Sequence, residues 1–255
     1  MKALLRSWWQ GLRRHRPSIP TDLWQATLAR SPVFRHLHAA DRERLRQMSQ
    51  RFLREKQFSG AGGLVLDDAM LVHIAAQACL PILELGLSAY RDWVGVIVYP
   101  AEFVIPRQIV DENGIVHEYD DTVSGEAWEG GPVLLSWQDS QMEDERYNVI
   151  IHEFAHKLDM LNGEVDGIPA LHSGLRETDW EATLMACYAD CCARLDRGET
   201  LPLDPYAGED PGEFFAVSSE TFFADSASLA ALYPDWHALL CRYYRQNPAR
   251  WLTPA

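Results

Sequence analysis

The stretch NVIIHEFAHKLDMLNG, residues 148 to 163, sets His152 and His156 four apart with Glu153 between them. In an α-helix four residues turn the chain by about 400°, so both imidazoles project from one face and can meet one metal ion. Glu153, beside the first histidine, can reach water next to that ion without being a ligand. That is the position required of a general base in zinc hydrolysis. The alternative is a polar helix face that holds His, Glu and His by chance, which happens in about one chain in a hundred of this length. The neighbours weigh against chance. Val149, Ile150, Ile151, Phe154 and Ala155 are apolar, so the helix is expected to be buried, where imidazoles and carboxylates need partners.

A zinc hydrolase needs a third protein ligand and an open position. The extension H-E-x-x-H-x-x-G-x-x-H fails, because Asp159 and Asn162 stand where its glycine and third histidine belong. A downstream glutamate is the other common solution, and DPGEFFAVSSETFFAD offers Glu213 and Glu220. Seven residues apart, they face nearly the same way, so spacing does not choose between them. Each also has an ordinary reading. Asp210, Pro211 and Glu213 fit an N-cap, a first-turn proline and a capping-box glutamate, and Glu220 fits an exposed helical acid. Packing residues Phe214, Phe215 and Ala216 favour Glu213, as does Tyr206 seven residues upstream, whose phenol could donate to a developing oxyanion.

HEFAHKLDMLNG, EFFA and Tyr206, with AAQACLPILELGL, VIVYP and SGEAWEGGPVLLSW, resemble the Mlc titration factor A family of bacterial zinc metallopeptidases, related to the catalytic domain of anthrax lethal factor. The similarity covers most of residues 50 to 235. It implies a zincin-like metallopeptidase domain with one zinc per chain, held by His152, His156 and Glu213, with Glu153 as catalytic base and Tyr206 as the tyrosine that serves the transition state. It also implies a cytoplasmic peptidase of aminopeptidase type and a link to Mlc, a transcriptional repressor of glucose uptake. A reading from a different class is a metal-containing regulator that sequesters a protein partner without catalysis. An intact Glu153 argues against it, since a pure binder has no use for a base.

The elements that must position these residues give an α+β fold, with a small sheet and a largely helical C-terminal half. Residues 1–20 are a basic tail or short helix, and 21–255 form a single domain. Asp22 can cap LWQATLAR, and Leu45, Met48 and Phe52 repeat at helical spacing. LVLD reads as a strand up to Asp67, followed by an apolar helix that is interrupted at Pro81. VGVIVYP, EFVIP and GIVHEYD, with the turn signal Asn113-Gly114, read as a small sheet with hairpins. Residues 132 to 137 add a strand that is either a candidate edge for an extended peptide or an ordinary core strand. The chain is helical after residue 140, with breaks at 163–169 and across RGETLPLDPYAGEDPGE.

Composition narrows the classes. At 255 residues with 47% hydrophobic content the chain can bury a substantial core. Residues 1–60 hold 13 Lys and Arg against 4 Asp and Glu, while the rest holds 10 against 33. The acidic body would repel phosphate, which argues against general nucleic-acid binding, and the basic N-terminal segment carries no recognisable reading motif. Arg6 interrupts the apolar N-terminal stretch, so a signal peptide is not expected, nor is a membrane span. The five cysteines form no disulfide framework. Cys187 and Cys191, four apart, could share a metal, but with no second pair they read as buried thiols.

Overall fold

Parallel pairing, more than hairpins, organises the sheet. The computed structural model describes residues 18–35, 37–110, 116–141 and 147–249; the expected N-terminal tail and the Asn113-Gly114 turn fall outside these, apart from residues 18–20. Strands β1 (Gln57–Gly60), β2 (Gly95–Tyr99), β5 (Gly125–Ala127) and β6 (Val133–Ser136) form a four-stranded sheet in the order β1-β2-β6-β5. The β1-β2 and β2-β6 pairs are parallel, and only β5 runs antiparallel to its neighbour. Strands β3 (Phe103–Val110) and β4 (Val116–Val123) pair with each other as a separate antiparallel ribbon.

Two strand expectations are corrected. Residues 64–67 are not a strand: Asp67 caps helix α3 (Asp68–Cys79) by accepting from the Met70 N–H at 2.8 Å, and a capping side chain competes with extended pairing. The strand lies earlier, at β1, whose four residues are largely exposed and carry no apolar alternation. Residues 133–136, read as a candidate edge, lie inside the sheet between β2 and β6's other neighbour β5, and all four are buried. The edge on that side is β5.

Helices α1 (Thr21–Arg30) and α2 (Ala39–Glu55) precede the sheet. Asp22 sits within the first turn of α1 and not at its cap, which is Pro20. Along α2 the inward residues include Leu45, Ser49, Phe52 and Leu53, with Met48 only half-buried. After the sheet come α4 (Val149–Asp159), α5 (Glu177–Asp196), α6 (Pro211–Ala224), α7 (Ser226–Leu232) and α8 (Pro234–Tyr244), the expected helical C-terminal half. Among the described residues no helix is long and apolar enough to cross a membrane.

Aromatic packing places helices α4 and α6. Every residue of α4 is buried. Phe154, between the two histidines in sequence, sits 5.7 Å from Phe52, 5.3 Å from Tyr90 and 5.6 Å from Trp93, measured between ring centroids. Edge-to-face contacts of this kind are directional as well as apolar, so they fix the rotation of α4 about its axis. Phe214 and Phe215 do the same for α6, against Trp236 and, for Phe215, Trp180. With both helices pinned by the core, their polar residues are left facing one cleft.

Candidate metal centre

Helix α4 begins at Asn148, whose side chain accepts from the Ile151 N–H at 3.0 Å. Its backbone N–H donates to Glu220 Oε2, and its amide Nδ2 to Gln77 Oε1. Glu220, on α6, is therefore buried and is not the exposed acid its surroundings in sequence allowed. Its other oxygen, Oε1, lies 2.8 Å from His152 Nδ1. A carboxylate there accepts a hydrogen bond from Nδ1–H and leaves the Nε2 lone pair free to bind a metal.

The α6 start holds Glu213. Asp210 caps the helix by accepting from the Glu213 N–H at 2.9 Å, with Pro211 in the first turn. The Glu213 carboxylate does not close a capping box. Its Oε2 stands 3.0 Å from His152 Nε2 and 3.4 Å from His156 Nε2, and the two Nε2 atoms are 3.1 Å apart. Three ligands on a tetrahedral ion with bonds of about 2.0–2.1 Å would be roughly 3.3 Å apart, so these distances fit one. Glu213 Oε2 is buried with no well-formed hydrogen bond. Among the described residues, His152, His156 and Glu213 are the only group of three His, Cys, Asp or Glu side chains gathered closely enough to hold a metal ion. Two imidazoles with a carboxylate are a donor set that catalytic zinc sites use.

The electrostatics agree. Burial disfavours charge on His152, but the adjacent Glu213 and Glu220 carboxylates outweigh it and raise its pKa well above the ordinary value. Burial also opposes charge on Glu213, yet the two histidines hold its pKa below the usual carboxylate range. The pocket favours a positive charge between these groups. Cys187 and Cys191 show no such activation, since burial pushes both thiols up to about 11.

Glu153 is buried beside the histidines and is not among the three gathered donors. Burial raises its pKa to about 7, with His152 and His156 opposing the rise and Glu213 and Glu126 adding to it. Edge strand β5 closes on it so tightly that a Cβ on Gly125 would lie 2.4 Å from Glu153 Oε1. Only glycine permits that approach. Tyr206 stands on a 3-10 turn, Pro205–Gly208, where Asp204 accepts from its N–H at 2.9 Å. Its ring, half-exposed, lies 6.1 Å from that of His152.

These groups line one cleft of about 550 Å³, a volume that suits a small ligand or a few residues of peptide. Ser124, Gly125, Glu126 and Ala127 run along one wall, and Arg107 and Asp121 from the β3–β4 ribbon close another. Arg107 is tied to Glu126 at 2.6 Å and to Asp121 at 3.3 Å. Sequence reasoning weighed Glu213 and Tyr206 but did not find Asn148, Gly125 or the second role of Glu220. Each depends on a contact across more than 25 residues, except for the cap signal at Asn148.

A model of the family described as glucose-regulated metallo-peptidase M90 matches residues 5–245. The chain is 37% identical over 246 residues to Mlc titration factor A of Cronobacter sakazakii, covering 94% of this chain and 92% of the relative. The Escherichia fergusonii protein of that name gives the same identity and coverage. The Salmonella arizonae protein is 39% identical over 234 residues, 89% of this chain and 92% of its own.

Proposed function

The chain belongs to the glucose-regulated metallo-peptidase M90 family, and from that premise we propose that it is a zinc-dependent peptidase of aminopeptidase type. The observation that carries this reading is the convergence of His152 Nε2, His156 Nε2 and Glu213 Oε2 within 3.4 Å of one another, with Glu153 buried alongside. One zinc per chain would be held by those three residues. When bound, zinc supplies Lewis acidity toward the scissile carbonyl and acidifies water.

The protein's own groups do the rest. Glu153, with a pKa raised to about 7 by burial, takes the proton of the attacking water and gives it to the departing amine. A proton carrier with a pKa near the working pH suits both halves. Tyr206 donates its phenol to the carbonyl oxygen as negative charge develops there. An extended peptide pairs with the outer edge of β5, which runs past Glu153. The His73–Gln77–Asn148–Glu220 chain of hydrogen bonds holds His152 in the required tautomer. The proposed setting is cytoplasmic, with peptides as substrates.

A second role is favoured by the relatives' name, Mlc titration factor A. On this reading the chain also binds a transcriptional repressor of the Mlc type, and in the limit acts as a sequestering regulator that does not need catalysis.

The deciding experiment pairs elemental analysis with hydrolysis of aminoacyl p-nitroanilides, before and after chelation, in wild type and Glu153→Gln. One zinc per chain is expected, with activity lost on chelation and lost in zinc-loaded Glu153→Gln. Unchanged turnover in that variant would remove the peptidase reading and leave the sequestering regulator.

A further inference from the structure

Helix α5 reaches the short segment that joins Tyr206 to Glu213. The Tyr188 hydroxyl donates to the carbonyl oxygens of Gly208 and Glu209, each at 3.2 Å, and Cys192 Sγ approaches the same Gly208 oxygen at 3.6 Å. Both carbonyls stand at the C-terminal end of the 3-10 turn Pro205–Gly208, where helical structure leaves acceptors without internal donors. Gly208 is pressed against α5, and a Cβ there would lie 2.9 Å from Leu195 Cδ1. The Tyr188 ring meets Phe214 edge-on with centroids 6.2 Å apart, and Phe214 follows Glu213 directly. One side chain thus touches both ends of the spacer: its hydroxyl holds the turn that carries Tyr206, and its ring holds the helix start that carries Glu213.

Tyr206 depends on that turn. Among the described residues its hydroxyl makes no hydrogen bond, so the backbone of Pro205–Gly208 and the ring contact with His152 decide where the phenol stands. A group that stabilises a transition state must be held in place beforehand, and a misplacement of about 1 Å can cost about a hundredfold in rate.

We infer that Tyr188 is a positioning residue for Tyr206, acting through the Gly208 and Glu209 carbonyls. The inference rests on the role proposed above for Tyr206, and the experiment separates the two. Tyr188→Phe keeps the ring against Phe214 and removes only the hydroxyl. In zinc-loaded protein, kcat on an aminoacyl p-nitroanilide should fall about tenfold, with KM within about twofold and zinc content unchanged. Affinity for an aminoalkylphosphonic acid, a tetrahedral anion, should weaken by about the same factor in calorimetry.

Placed on Tyr206→Phe, the same substitution should have no further effect, because the phenol it positions is gone. An equal drop in both backgrounds would overturn the inference, as would wild-type kcat and phosphonate affinity in Tyr188→Phe when Tyr206→Phe is impaired. Wild-type kcat in Tyr206→Phe would overturn the role of Tyr206 and this inference with it. If circular dichroism shows that Tyr188→Phe is unfolded, Cys192→Ala takes its place. A drop of about threefold that vanishes on Tyr206→Phe is then expected, and unchanged kcat would overturn the inference.

Discussion

His152 faces carboxylates of one helix at its two ring nitrogens: Glu220 Oε1 lies 2.8 Å from Nδ1, and Glu213 Oε2 lies 3.0 Å from Nε2. The two acids are two helical turns apart on α6 and approach opposite edges of the same imidazole. On the proposed reading, the nitrogen each one meets separates their roles: the acid at Nε2 would share a metal with the ring, and the acid at Nδ1 would orient the ring from behind.

Glu213→Gln is therefore expected to strip most of the zinc, whereas Glu220→Gln should keep it with affinity weakened by about 10- to 100-fold, the range for loss of a supporting carboxylate. Competition with a chromogenic chelator measures both. Zinc lost from Glu220→Gln and retained by Glu213→Gln would reverse the assignment.

The contact between Gly125 and Glu153 gives a second expectation. In Gly125→Ala the added methyl would stand 2.4 Å from Glu153 Oε1, so the carboxylate or β5 must shift. Turnover should fall by about tenfold or more with zinc content unchanged. Wild-type kcat in this variant would mean that Glu153 does not need its present position.

Tyr206→Phe should lower kcat by roughly one to three powers of ten with little change in KM, as when a single oxyanion donor is removed. Zinc content should stay the same. A raised KM alone would make Tyr206 a substrate contact.

A fourth expectation concerns acid stability. His73 is buried, and burial lowers its pKa to about 4, with the Ser140 carbonyl contact opposing. Its ordinary value is about 6.5. The fold thus disfavours the charged ring: this stability is fully present above pH 6.5 and is lost as the pH falls toward 4, where the unfolded chain binds the extra proton. At pH 4.5 the loss from this one group is on the order of 2 kcal/mol. Urea unfolding of chelated protein at pH 7 and pH 4.5 should show a smaller acid loss in His73→Gln by about that amount. Equal losses would show that His73 titrates normally in the fold.

What the sequence determined by itself is local. The four-residue spacing places His152 and His156 on one face because helix geometry depends only on backbone angles. Asp210 and Pro211 mark the start of α6, and the capping signal was legible for the same reason. Families of residues close in the chain, such as HEFAHKLDMLNG, also carried the resemblance.

Spacing left Glu213 and Glu220 level, and only the tertiary structure shows which nitrogen of His152 each one meets. Their spacing gives both the same heading, and their difference arises from how far along His152 α6 crosses α4. It also set β6 inside the sheet and β5 at its edge, because pairing partners of short strands are chosen by contacts distant in the chain, and four-residue strands such as β1 hold too few side chains to show an alternation. Gly125 was silent for a related reason: a glycine selected for close approach has no side chain to announce its neighbour, and Glu153 lies 28 positions away.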